Sequence, residues 1–462
     1  MNRSRALLLT WACLAAVCLG QGLPDAPFHP CSDFKTGHLT QARLRQLLNP
    51  DKSAQSWDVL HYRLELEVSL GPNPVAGSVD ILFQSKTGGL SEVTVNLYDN
   101  MALNLVTMDG IAAPYTRLNH QVRVSLPHPM ADGETGTLRI EYSGNPQNTG
   151  FDSFTFEYHG SKPIISSLSE PYGAPTWWAC KDDPADKATA DIILTVPAGL
   201  TGVSNGTLVS TATNPDGTST SHWAESYPIS TYLVSVAITN YLHLTDTYIS
   251  PLDGRTMPLD FYVYPEHENQ ARAKTPVTKD MIAVFAQLFC EYPFIDEKYG
   301  LAEFPWGGGM EHQTITSMGA SIIGSANSMD SINAHELAHQ WWGDMITMAT
   351  WPHIWLNEGF ATYSEALWAE ARYGTAEYHQ EMNSMATLDY FQGSLYITNP
   401  TVNNLFDITV YYKGAWVLHM LRGVVGEDQQ DLPDELAQRL QVNALARTDA
   451  VADAGLDAAE GF

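Results

Sequence analysis

Two histidines four residues apart, His335 and His339, flank the run Glu336-Leu337-Ala338. On a helix, residues at that spacing stand one above the other on a single face, so both imidazoles can reach one ion. Glu336, beside the first histidine, can approach that ion without taking a ligand position. Alone the pattern is only moderately specific, because two histidines and a carboxylate also occur on solvated helix faces. Eighteen residues separate His339 from Glu358, which stands in Trp355-Leu356-Asn357-Glu358-Gly359-Phe360. A carboxylate there completes a two-His, one-Glu donor set, which suits a single catalytic zinc with one coordination position left open. The implied chemistry is hydrolysis: the metal polarises a scissile carbonyl, and Glu336 accepts the proton of the attacking water. Glu365, seven residues after Glu358 and on nearly the same helical face, either orients a ligand from behind or is simply solvated.

These residues need helices to hold them, and the surrounding pattern supplies candidates. Helices are expected around Ser331–Trp342, Glu358–Tyr373 and Tyr412–Val424, with Asp330 or Ser331 as cap of the first. Val277, Met281, Val284, Phe285 and Leu288 follow helical spacing ahead of them. From about Trp57 to Val263 the period is two instead. Tyr62, Leu64, Leu66 and Val68 alternate with Arg63, Glu65, Glu67 and Ser69, and the pattern recurs at Val79, Ile81 and Phe83, at Val122, Val124 and Leu126, and at Leu138, Ile140 and Tyr142. Many short strands without intervening helices imply an antiparallel, sandwich-like β domain. The expected division is a β domain over residues 21–265 and a mainly helical catalytic domain over 266–428, with the boundary near Glu266.

The chain has 462 residues, 52 acidic against 24 basic, for a net charge of −28. That balance argues against nucleic acid and anionic membrane surfaces as partners. Residues 1–20 read as a signal peptide, with Arg3 and Arg5 before an apolar run from Ala6 to Gly20, so the protein is expected to be exported, periplasmic or extracellular. No later stretch is apolar enough to span a bilayer. Beyond the signal, Cys31, Cys180 and Cys290 form neither a disulfide framework nor a zinc knuckle, so a metal must be held by histidine and carboxylate. Residues 429–462 are acidic and alanine-rich and read as an atypical tail or a truncated end of the catalytic domain.

The spacing from His335 to Glu358, with Gln340-Trp341-Trp342-Gly343-Asp344 after the second histidine, resembles the aminopeptidase N family of gluzincins, which includes leukotriene hydrolase. Three further segments agree in order. Gly308-Gly309-Met310-Glu311-His312 is similar to the family's Gly-x-Met-Glu-Asn exopeptidase motif, with His312 in place of the usual Asn. Tyr411-Tyr412-Lys413-Gly414 is similar to the Tyr-x-Lys-Gly segment that carries a catalytic tyrosine. Ser169-Glu170-Pro171 with Trp177-Trp178 resembles the segment where the β domain reaches the active site. The resemblance covers roughly Trp57 to Glu427, and the family's C-terminal helical domain finds no counterpart after it. It implies a β saddle followed by a thermolysin-like catalytic domain, and peptide substrates with a free amino end. It also implies that Glu311 and Glu170 anchor that amine, with Gly308, Gly309 and Met310 along the substrate. Tyr411, with Tyr412 as competitor, would donate to the developing oxyanion. The glycines, bare of side chains, would let a substrate backbone approach as an added strand. Trp306, Met310 and Tyr172 either line the first specificity pocket or belong to the core. An endopeptidase would share the zinc site but have no use for Glu311.

Overall fold

A computed structural model describes residues 55–425, apart from 73, 150, 387–392 and 399–403. The expected signal peptide, Cys31 and the expected tail over 429–462 lie outside the described residues. Alternation along the first strands fixes which face is buried. Along Trp57–Val68 the side chains of Tyr62, Leu64, Leu66 and Val68 turn into the core. That strand pairs antiparallel with Val75–Ser85 and parallel with Ala188–Val196, in the middle of an eight-stranded sheet. The parallel pair departs from the purely antiparallel expectation. A parallel neighbour needs a long crossover, and the two strands are separated by most of the β domain.

Leu90–Asn96 and Gln121–Met130 share a three-stranded sheet, and Ser153–His159 and Lys162–Leu168 lie in a four-stranded one. Val93, Val95, Val122 and Val124 are all buried, as their spacing requires. A fourth group of strands belongs elsewhere. The hairpin Leu242–Ile249 and Thr256–Val263 joins Tyr299–Phe304, Thr316–Gly319 and Gly309–Met310 in a five-stranded sheet. By strand pairing, the hairpin that begins at Leu242 goes with the later strands, although it precedes the Glu266 boundary drawn from the change of periodicity.

Seven helices lie among the described residues, all after this hairpin: α1 Glu268–Lys274, α2 Thr278–Phe289, α3 Ala320–Ile323, α4 Asp330–Ala338, α5 Trp355–Tyr373, α6 Thr375–Ser384 and α7 Ile408–Val425. The molecule is thus an N-terminal β-rich domain followed by a helical catalytic domain. Helix α2 buries Met281 and Phe285, as the periodicity predicts. Helix α4 stops at Ala338, so His339 caps its end. There the chain tightens into turns and passes through Gly343 at φ 144°, a conformation that favours glycine. The capping expectation for α4 fails. Asp330 is already its first residue, and the amide of Asp330 donates to the hydroxyl of Ser328 instead.

Among the described residues, Cys180 and Cys290 do not form a disulfide. No helix among the described residues is long and apolar enough to cross a membrane.

Candidate metal centre and active-site cleft

Helix α4 brings His335 and His339 together because four residues make about one turn. Their Nε2 atoms are 3.1 Å apart, and each lies 3.3 Å from Glu358 Oε2, which enters from the first turn of α5. All three side chains are buried. Ligands about 2.0–2.1 Å from a tetrahedral zinc stand about 3.3 Å from one another, so this triangle has the size that ion requires. The outer nitrogens are occupied. His335 Nδ1 lies 2.9 Å from Glu365 Oε1, and His339 Nδ1 lies 3.0 Å from the carbonyl of Trp342. Partners of this kind fix ring orientation and direct Nε2 at a metal. Ser331, expected as a cap, donates its hydroxyl to the other oxygen of Glu365. Burial disfavours charge on His335, yet its bonds to Glu358 and Glu365 outweigh that and raise its pKa to about 10. Two buried carboxylates therefore call for positive charge at this spot, and a dication bound to neutral imidazoles supplies it.

Glu336 stands beside the metal triangle. Its carboxylate, a carboxylate oxygen of Glu311 and a nitrogen of His339 all lie within 4.8 Å of one another. A Cβ on Gly309 would stand 2.4 Å from Glu336 Oε1. The missing side chain at Gly309 is thus used first by Glu336, before any substrate. Gly309–Met310 forms the edge strand of the five-stranded sheet, paired with Met318 and Ser317. The Gly308 carbonyl accepts the amide of Gly319, 2.9 Å away. His312 is buried, with Nδ1 2.8 Å from Ser317 Oγ. Met310 and Tyr172 are fully buried, and Trp306 lines a small cavity with Phe151, Leu168 and Phe304.

Glu170 comes from the β domain, in the turn closed by the Gly173 amide and the Ser169 carbonyl. Burial pushes the carboxyl of Asp344 well above its ordinary range. Glu311 adds to this, Lys187 opposes it, and Glu336 and Glu170 also raise it. Four carboxyl groups thus share one field beside the metal triangle.

Tyr411 sits in the first turn of α7, fully buried, with its ring 6.0 Å from that of His335 and nearly parallel to it. What allows this approach is a crossing without side chains. A Cβ on Gly359 would stand 2.8 Å from the Cα of Gly414, so α5 and α7 touch backbone to backbone one residue after Glu358 and three after Tyr411. Tyr412 is buried as well.

Several residues around the site carry no motif that the sequence could expose. Gln340 accepts the amide of Thr314 at 2.8 Å and donates to Asp344 at 2.7 Å, tying the Glu311 loop to the end of the zinc helix. Lys187 of the β domain donates to the carbonyls of Asp344 and Met345. Asn357 reaches the hydroxyl of Tyr232, 3.3 Å away. Only Gln340 and Asn357 had a signal, their places directly after the second histidine and directly before Glu358.

Comparisons with known proteins agree with this construction. The family model for the peptidase M1 N-terminal domain matches residues 59–233, and that for the peptidase family M1 domain matches residues 275–449, past the Glu427 limit of the motif resemblance. Endoplasmic reticulum aminopeptidase 1 of Homo sapiens is 29% identical over 333 residues, which are 67% of this chain and 35% of that protein. Glutamyl aminopeptidase of Sus scrofa is 27% identical over 455 residues, 87% of this chain and 46% of that one. The chain thus spans between a third and a half of the length of these curated relatives. The crystal structure of an M1 zinc metallopeptidase from Deinococcus radiodurans is similar with a TM-score of 0.71 at 28% identity, covering 85% of this chain and 87% of the other. A mutant of that enzyme bound to a Tyr-Ser-Ala substrate gives a TM-score of 0.69 at 28% identity, over 86% and 88% of the two chains. Zinc is accordingly the metal of this centre. Both domain models match in order, and the same two-domain architecture recurs in a solved zinc metallopeptidase, so the chain belongs to peptidase family M1.

Proposed function

We propose that the protein is a zinc aminopeptidase that hydrolyses the first peptide bond of peptides with a free amino end. The observation that carries this reading is the grouping of Glu311 and Glu336 beside His339, two carboxylates at the metal triangle with Glu358 already serving as the acidic ligand. One of them is available for proton transfer and the other for a substrate cation. Bound zinc supplies a Lewis acid that polarises the scissile carbonyl and makes water nucleophilic near neutral pH. Glu336 takes the proton of the attacking water and passes it to the leaving amine. Tyr411 donates its hydroxyl hydrogen to the carbonyl oxygen as negative charge develops there. Glu311 and Glu170 hold the terminal ammonium, which fixes which peptide bond meets the water. The edge strand Gly309–Met310 offers unpaired backbone to an extended substrate.

The test is kcat/KM for one dipeptide with its amine free or acetylated, on the wild type and on Glu311→Ala. Acetylation removes the charge and adds bulk where the carboxylates stand, so the wild type should stop cleaving. Glu311→Ala should keep its zinc and lose about 100-fold or more on the free-amine peptide. Equal efficiency on both substrates in the wild type would promote the endopeptidase reading instead.

Export is part of the same proposal and rests on Arg3, Arg5 and the apolar run that follows them. It predicts that the chain expressed with its own leader is recovered outside the cytoplasm with its amino end near Gln21. Recovery only in the cytoplasm, with Met1 or Asn2 at the amino end, would refute it.

A further inference from the structure

The two carboxylates assigned to the substrate amine come from different domains, and their separation has to be set by something that spans the junction. Glu170 belongs to the β domain, whereas Glu311 opens a loop of the catalytic domain. The residues directly after Glu311 are held in an unfavourable conformation. Thr314 has φ 63°, a left-handed value that a β-branched side chain rarely adopts. Such a conformation persists only where its surroundings over-determine it.

Those surroundings are mostly β-domain groups. Gln313 Nε2 donates to Glu225 Oε1 at 3.0 Å, and the Thr314 hydroxyl lies 3.3 Å from Glu225 Oε2. Asn205 Nδ2 donates to the Gln313 carbonyl at 2.7 Å, and the Gly206 amide donates to the Thr314 hydroxyl at 2.8 Å. From the opposite side, Gln340 accepts the Thr314 amide. Glu225, Asn205, Gln313 and Thr314 are all buried, so water does not compete for these bonds. Burial, and then the neighbouring Glu297, push the Glu225 carboxyl well above its ordinary range. The Lys298 ammonium, 3.3 Å from the carbonyls of Ser204 and Thr314, closes the cluster.

We propose that Glu225 is a positioning residue for amine recognition: by gripping Gln313 and Thr314 across the domain junction, it sets Glu311 at the distance from Glu170 that a terminal ammonium needs. The inference rests on the aminopeptidase reading of Glu311 and Glu170. It adds that selectivity for a free amine is a property of the docked pair of domains rather than of either one.

The experiment uses the zinc-loaded full chain and an aminoacyl anilide, free or N-acetylated, with Glu225→Ala, Glu225→Gln and Gln313→Ala. Glu225→Ala should raise KM for the free-amine anilide about tenfold, the scale of one lost buried hydrogen bond, and lower kcat by less. Zinc content should stay at the wild-type level, and the preference for the free amine should shrink by a similar factor. Glu225→Gln retains an acceptor for Gln313 and a donor for Glu297, and should restore KM to within about twofold of the wild type. A loss of folded enzyme alone would lower apparent kcat and leave KM in place. The proposal is overturned if Glu225→Ala keeps the wild-type KM, or if Glu225→Gln is as impaired as Glu225→Ala. Should Glu225→Ala fail to fold, Gln313→Ala decides by the same readout, because it breaks the grip and leaves Glu225, Glu297 and Lys298 together; an unchanged KM there overturns the proposal. Wild-type enzyme that turns over both anilides equally would remove the aminopeptidase reading itself, a failure visible before any variant is compared.

Discussion

The two walls of the cleft are built by different means. On the metal wall, His335, His339, Glu358, Glu365 and Tyr411 project from three helices whose geometry is local. Each ligand is placed by the residues within a turn of it, and the helices are locked by one close crossing at Gly359 and Gly414. On the wall proposed to anchor the amine, Glu311 and Glu170 sit in loops, and what holds the Glu311 loop is distant in sequence. Gln313 and Glu225, for example, are 88 residues apart. Helices make a wall that is prearranged wherever they fold, whereas the anchor wall exists only once the two domains have docked. The hydrolytic parts should therefore tolerate disturbance of the domain junction better than the parts that choose the substrate.

This contrast can be broken from the metal side, beginning with the largest effect. Glu358→Ala removes one of three donors, and the variant should bind no zinc at stoichiometric metal and show no turnover, just as a chelator should silence the wild type and added zinc restore it. Metal analysis beside the rate checks this, and full activity in verified metal-free protein would end the zinc mechanism. Glu336→Gln should separate metal from chemistry, keeping zinc while kcat falls about 1,000-fold, because an amide accepts no proton from water. A rate near wild type would move the base elsewhere. Tyr411→Phe should lower kcat about 100-fold and leave KM nearly unchanged, with Tyr412→Phe close to wild type. A large loss only at Tyr412 would transfer the oxyanion role to its neighbour. Glu365→Gln should have the smallest effect, a zinc affinity about tenfold weaker, with activity recovered in excess zinc. If its defect persists at saturating metal, Glu365 does more than orient His335. On none of these four should the preference for a free over an acetylated amine change, apart from lost signal. A changed preference would mean that the two walls are not separable.

What was legible in the sequence follows the same division. The grouping of His335, His339 and Glu358 could be read because a four-residue spacing returns to the same helix face, and the buried strand faces because alternation allows only one inward set. Terminal details were not legible. Ser331 looked like a helix cap, yet its hydroxyl serves Glu365 from the far side of the site, a use that needs α5 in place. Gly309 looked like room for substrate, but its bare Cα is first the seat of the Glu336 carboxylate. The hairpin Leu242–Val263 carries ordinary strand periodicity, which cannot say that its partner is Tyr299–Phe304 rather than a strand of the β domain. Glu225 and Asn205 give no signal at all, since a single carboxylate in a strand or amide in a bend acquires meaning only from what packs against it.

The crossing of α5 and α7 also acts as a fulcrum. With no side chain between Gly359 and Gly414, backbone atoms alone set the spacing of the two helices at that point, and a tilt of α7 would turn about it. The arms are unequal. Tyr411 lies three residues from Gly414, about 4.5 Å along the axis, and Val425 lies eleven residues beyond it, about 16 Å away. A tilt that carries the far end of α7 by some distance moves the tyrosine by little more than a quarter of that. A force applied through the chain that continues after Val425 would reach the hydroxyl reduced in that ratio, so the side chain proposed as oxyanion donor would be shielded from motion at the end of its own helix.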